Sequence, residues 1–148
     1  MSDLEVLYEN LVKEKNLDYD EYQHNALKVL NNLKTHILKS FSTKKIRNLF
    51  GKLIFLKHFQ QKSSFHNGIY LYGGVGTGKT MIMNLFFQNL NITEKQRVHF
   101  HEFMHDFHQK TKKIRTKKNK DPIKTICSEI AKDIKVLCFD EFQIVDIT

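Results

Sequence analysis

Apolar residues in the first third of the chain recur at intervals of three and four. Leu4, Leu7, Tyr8 and Leu11 mark one predicted helix; Tyr22, Ala26, Val29, Leu30, Leu33 and Ile37 mark a second. Ile46, Leu49, Phe50, Leu53 and Ile54 mark a third, with Gly51 a small internal penalty. Ser2 and Glu5 have the spacing of a capping box, and Asn16-Leu17-Asp18 breaks the first helix from the second. Such stripes are read as core packing; a partner-docking helical layer is the functional alternative.

From Gln60 to Asn67 the chain is polar and reads as a loop, after which the pattern changes. The short apolar run Ile69–Tyr72 predicts a strand, and Met81, Ile82, Leu85, Phe86 and Leu90 predict a helix ending near Leu90. A connector over Asn91–Lys95 leads to a second strand, Arg97–Phe100, and a helix from His101 to about Lys113. Asp121-Pro122 supplies an N-cap and a first-turn proline, followed by the apolar face Ile123, Ile126, Cys127, Ile130 and Ile134. Lys135–Phe139 is near-continuously apolar, as a strand covered on both faces should be. The pattern predicts an N-terminal helical segment over 1–66 and an α/β domain over 67–148, a parallel sheet with flanking helices.

Between the first predicted strand and its helix lie Gly73, Gly74, Val75, Gly76, Thr77, Gly78, Lys79 and Thr80, a full match to G-x-x-x-x-G-K-[ST]. Glycines let successive backbone N–H groups turn inward around a polyphosphate, where side chains would block the approach. The helix that follows aims its unpaired N–H groups and positive end at the same anion. Lys79 can reach the β- and γ-phosphates, and the Thr80 hydroxyl is placed to ligate Mg²⁺. The plainer alternative is an ordinary strand-to-helix turn; the Gly-Lys-Thr ending weighs against it.

The third predicted strand ends in Asp140-Glu141, four apolar residues followed by two carboxylates. Asp140 suits a magnesium ligand acting together with Thr80, and Glu141 suits a general base that activates the attacking water. Acidic residues after a strand are common turn residues, so this half gains weight only beside the phosphate loop. The two together imply ATP with Mg²⁺.

At 148 residues the chain can bury one sizeable core, and 41% hydrophobic with 27% charged residues is ordinary for a globular protein. The net charge of +8 suits polyanionic ligands, but much of it sits in the run Lys110, Lys112, Lys113, Arg115, Lys117, Lys118 and Lys120. Without interleaved aromatics that run reads as a solvated helix end and loop, so nucleic acid is disfavoured as a partner. Cys127 and Cys138 lie in apolar settings and form no ligand-like pair, which favours a reducing compartment. No secretory signal, Arg-rich transit peptide or run of about 20 apolar residues is present, so a cytoplasmic protein with at most peripheral membrane contact is expected. His101-Glu102-Phe103-Met104-His105 is a literal H-E-x-x-H, with His99 and His108 nearby, which raises a zinc peptidase as a distant alternative. With no third ligand specified, a surface helix in a His-rich chain is the better reading.

Three blocks together resemble the AFG1-like ATPase family: Tyr70–Thr80, Arg97-Val98-His99-Phe100-His101-Glu102-Phe103-Met104, and Leu137–Ile147. The resemblance extends to the N-terminal helices and the Asp121-Pro122 break, and covers essentially the whole chain. It implies a P-loop NTPase of the ASCE/AAA+ type that couples Mg²⁺-dependent ATP hydrolysis to work on protein partners, with homo-oligomers possible. It further implies that Gly73–Thr80 bind nucleotide, Asp140 assists Mg²⁺ and Glu141 is the catalytic carboxylate. Bacterial members associate with the division ring and mitochondrial ones act in protein quality control; the absent transit peptide points to the bacterial side. His105 departs from the family pattern, which leads one to expect an aliphatic residue there. Family members also continue past Thr148, so a sheet incomplete at its C-terminal end is expected, lacking the sensor-1 strand and the arginine finger. Strands with unpaired edges, and a non-hydrolysing nucleotide-binding fragment as the alternative function, follow from that expectation.

Overall fold

A computed structural model describes residues 2–14, 18–49, 68–115 and 121–142, with the backbone alone for 42–49 and 115. The chain divides into two compact units, Met1–Leu90 and Asn91–Thr148.

The first unit is helical. Helix α1 (Asp3–Glu14) starts at a complete capping box: the Ser2 N–H donates to Glu5 Oε2 at 2.6 Å, and the Glu5 N–H donates to Ser2 Oγ at 3.4 Å. Helix α2 (Glu21–Leu49) is capped by Asp20, whose Oδ1 accepts the N–H groups of Tyr22 and Gln23 at 2.8 and 3.3 Å. Tyr8 ties the two helices together. Its ring is fully buried, and its hydroxyl accepts the Asp20 N–H at 3.0 Å, so the turn into α2 is held by a side chain of α1. Helix α3 (Lys79–Asn89) contributes Ile82, Leu85 and Phe86, with Leu90 just past its end, to a core completed by Leu4, Leu27 and Leu30.

Two expectations for this unit are corrected. The buried stripe of α2 is the expected one only in part: Leu30 is buried as expected, but Tyr22 and Val29 are exposed and Leu27, outside the expected stripe, is buried. The face turns toward Leu27, since α2 must meet Tyr8 of α1 and the apolar face of α3 together. Nor does the chain break before Ile46: α2 runs on to Leu49, absorbing the start of the expected third helix. The rest of that helix, Phe50, Leu53 and Ile54, lies outside the described residues, as does the Gln60–Asn67 loop.

The expected strand Ile69–Tyr72 is also corrected: it pairs with no strand among the described residues. A strand exists only where a neighbour takes its N–H and C=O groups, and the first unit has no other strand among the described residues to do so. The side-chain alternation of extended backbone survives, with the rings of Tyr70 and Tyr72 stacked on one side at 6.3 Å.

The second unit is a crossover. Strand β1 (Lys95–His99) leads into helix α4 (Phe100–Arg115), then helix α5 (Pro122–Asp133), then strand β2 (Val136–Asp140). The strands pair in parallel, with Arg97 opposite Cys138, Val98 opposite Phe139 and His99 opposite Asp140. Parallel partners need a long connection, and the two helices supply it. Asp121 caps α5 as the sequence suggests, its Oδ1 accepting from Ile123 and Lys124 at 3.1 and 3.3 Å, with Pro122 in the first turn. Phe139 packs edge-on against Phe103 and Phe100 of α4, at ring distances of 5.0 and 5.6 Å. On α5 only the middle of the expected apolar face is deeply covered: Ile126 is buried, whereas Ile123 and Cys127 are exposed, correcting the apolar setting expected for that cysteine. What the described residues establish is a set of helices and a small two-stranded parallel sheet.

Candidate functional site

The phosphate loop lies in the first unit, between Tyr72 and α3. Gly76 and Gly78 have φ of 83° and 78°, conformations that L side chains rarely adopt, so the backbone path requires glycine at these two positions. Gly78 is the N-cap residue of α3, and no side chain caps that helix end. The first-turn N–H groups are thus left to a ligand or solvent. Lys79 folds back over the loop. Its Nζ donates to the carbonyl oxygens of Gly73 and Gly74 at 3.0 and 2.6 Å and to Thr77 Oγ1 at 3.3 Å. The Thr77 hydroxyl in turn donates to Gly74 O at 2.9 Å. The ammonium is therefore already centred on the loop, held by groups that a polyphosphate could replace. Val75 and Thr80 are exposed.

One supporting residue here was not foreseen from the sequence. Gln23 of α2 donates from Nε2 to Thr77 O at 3.3 Å, and a Cβ built on Gly78 would lie 2.7 Å from that nitrogen. Gly78 is thus needed for its φ, and a side chain there would also make the Gln23 amide shift. The signal in sequence was slight: a polar residue at the same helical position as Leu27 and Leu30.

The carboxylates lie in the second unit. Asp140 closes β2, with its side chain 13% exposed, and its Oδ2 accepts a hydrogen bond from Arg97 Nε at 2.5 Å. Register explains the pair: Arg97 stands opposite Cys138, so Asp140, two residues further, shares its face. Between them the buried Cys138 thiol is pushed up from its usual range, chiefly by burial, with Arg97 opposing the shift and Asp140 adding to it. Glu141 follows, exposed and with φ of 51°, the one non-glycine residue with positive φ among those described. Such a backbone costs about 1–2 kcal/mol for an L residue and is met disproportionately at functional positions.

Thr80 and Asp140, the residues assigned to Mg²⁺ from the sequence, offer a hydroxyl and a carboxylate. Both are hard oxygen donors of the kind that ion takes, and Asp140 already attracts a cation in Arg97. The His-rich segment sits on α4 with His101, Glu102, His105 and His108 exposed. His105 lies 3.6 Å from Asp106 and 3.2 Å from the Gln109 amide. Among the described residues no group of three or more His, Cys, Asp or Glu side chains is arranged to hold a metal. Lys110, Lys112 and Lys113 project from the end of α4; Lys117, Lys118 and Lys120 lie outside the described residues. None of the described helices is long and apolar enough to cross a membrane.

The AFG1-like ATPase family model matches residues 3–148. An uncharacterized protein of Schizosaccharomyces pombe is 37% identical over 153 residues, covering 86% of this chain and 34% of its own length. The cell division protein ZapE of Escherichia coli is 39% identical over 104 residues, covering 70% of this chain and 26% of that protein. Lactation elevated protein 1 homolog B of Danio rerio is 45% identical over 89 residues, 54% of this chain and 18% of that protein. The chain spans about a third or less of the length of these relatives. No solved structure matches it. A family model that matches nearly the whole chain decides its membership: the chain belongs to the AFG1-like ATPase family.

Proposed function

We propose that the chain binds ATP through Gly73–Thr80 and hydrolyses it with Mg²⁺, in the service of work on protein partners. The observation that carries this reading is the loop itself, whose Gly76 and Gly78 adopt positive φ and whose Lys79 ammonium is held at its centre by exchangeable carbonyls. On binding, Lys79 trades those carbonyls for β- and γ-phosphate oxygens, while the loop N–H groups and the start of α3 take the remaining negative charge. Thr80 and Asp140 would hold Mg²⁺, which would supply charge neutralisation on the phosphate oxygens. Glu141 orients a water and accepts its proton. The water oxygen then bonds to the γ-phosphorus as the bond to the bridging oxygen breaks, releasing ADP and phosphate.

In this reading 1–66 is a helical segment preceding a partial P-loop domain, 67–148, of AAA+ type. The relation to a protein named for cell division supports a place in that process, with division-ring components as candidate partners, in the cytoplasm and as a homo-oligomer. A nucleotide-binding role without turnover is the second reading, favoured by the engagement of Asp140 with Arg97 rather than with open solvent. Phosphate release by the purified chain, abolished in Glu141→Gln while ATP still binds, supports hydrolysis. Binding with no release from the native chain supports the second reading.

A further inference from the structure

Arg97 and Asp140 are a pair that no element of the nucleotide assignment calls for. Strand register places them diagonally on one face, β1 residue 97 and β2 residue 140, and the contact is a charge-assisted hydrogen bond of 2.5 Å. The two side chains are 30% and 13% exposed, so the interaction is far less screened than a surface ion pair. We infer that Arg97 is the resident counter-ion of Asp140, which a divalent cation arriving with nucleotide must displace from Oδ2.

Three features of the pair lead there. One carboxylate carries a single negative charge, and the guanidinium already neutralises it. A divalent cation brought to the same carboxylate is repelled by the guanidinium, since like charges at such separations in a partly covered site interact strongly. An arginine is also able to withdraw, because its long stem reaches Asp140 from two residues back along the neighbouring strand and a third of it meets solvent. In the metal-free protein Arg97 thus keeps Asp140 oriented and unavailable. The inference rests on the reading of Asp140 as a magnesium-assisting residue, and Arg97 acts as a positioning residue through it.

The test needs no turnover. In the full chain, the Arg97 Nε–H resonance is expected to be shifted downfield and slow to exchange, then to lose both properties with ADP and Mg²⁺ but not with ADP in EDTA. In Arg97→Gln, the Mn²⁺ concentration that half-saturates the ADP complex, read by electron paramagnetic resonance, is expected to fall about tenfold, the low end of what a charge beside a carboxylate does. Arg97→Lys, which keeps the positive charge, is expected to stay close to the native value. An Arg97 signal indifferent to Mg²⁺ in nucleotide-loaded protein, or an unchanged or raised Mn²⁺ midpoint in folded Arg97→Gln, would overturn the inference. Nucleotide affinity unaffected by Lys79→Ala would instead sink the underlying site assignment, whatever Arg97 does.

Discussion

The two units hold their candidate functional residues by different means. In Met1–Leu90 the loop is shaped by its own backbone: glycines in left-handed conformations, a lysine folded onto carbonyls five and six residues earlier, a hydroxyl closing on a carbonyl three residues back. In Asn91–Thr148 the carboxylate is held by a partner 43 residues away in sequence, brought near only by the parallel register. Local geometry can be written in eight consecutive residues and needs little beyond them. A geometry that depends on register needs the whole crossover to form first. A binding loop built the first way and a chemical group built the second way can therefore be separated by mutation.

The sharpest separation is expected at Glu141. Glu141→Gln should lower hydrolysis by about 10²–10⁴ while leaving ATP affinity unchanged, measured by phosphate release and by calorimetry. Glu141→Gly should abolish hydrolysis equally yet raise thermal stability by about 1 kcal/mol, because glycine accepts the φ of 51° without strain. A destabilised glycine variant would show that the left-handed backbone there is not strained.

Packing of the helical unit offers the next effect. Leu27→Ala is expected to cost about 2–5 kcal/mol in urea unfolding, and Val29→Ala within about 0.5 kcal/mol, since Leu27 is fully buried and Val29 is half exposed. The reverse order would restore the stripe expected from the sequence. A smaller loss is expected in the loop. Gly78→Ala should cost about 1–2 kcal/mol, from its φ of 78°, and it should weaken ATP binding too. Gly74→Ala should be milder, as a Cβ there meets nothing nearer than Thr77 Cγ2 at 3.9 Å.

The smallest effect concerns pH. The Glu5 carboxyl is held below its usual range, first by the Ser2 N–H and then by the Ser2 hydroxyl, with His24 adding a little. A depressed folded-state value contributes stability above the unfolded value of 4.5 that is lost as pH falls through the folded one. Unfolding midpoints should thus drop below about pH 4.5 more steeply in the native chain than in Glu5→Gln. Parallel curves would remove Glu5 from the acid response.

Legibility in the sequence followed the same divide. The capping box, the Asp121-Pro122 start of α5 and the helix after the loop could be read because each depends on neighbours within a turn or two. The glycine requirement of the loop was legible for the same reason. The strands expected over Arg97–Phe100 and Lys135–Phe139 lie within a residue or two of Lys95–His99 and Val136–Asp140, their apolar runs marking the place but not the pairing that sets their ends. Ile69–Tyr72 was misread because apolar composition indicates strand potential but not whether a partner strand is present. The α2 face was right at Leu30 but wrong at Tyr22, Val29 and Leu27, because all of them fit a helical period and only the docking of α1 and α3 decides between them. Gln23 and Arg97 escaped notice because their roles come from contacts more than forty residues away, which no local pattern encodes.

Calorimetric titration of ATP into the native chain and into Lys79→Ala addresses the central claim most directly. The native chain is expected to give a saturable heat with one site, and Lys79→Ala to lose about 100-fold in affinity, as fits the loss of charged hydrogen bonds to phosphate. Equal binding curves for the two proteins would contradict the assignment of Gly73–Thr80 as the nucleotide site.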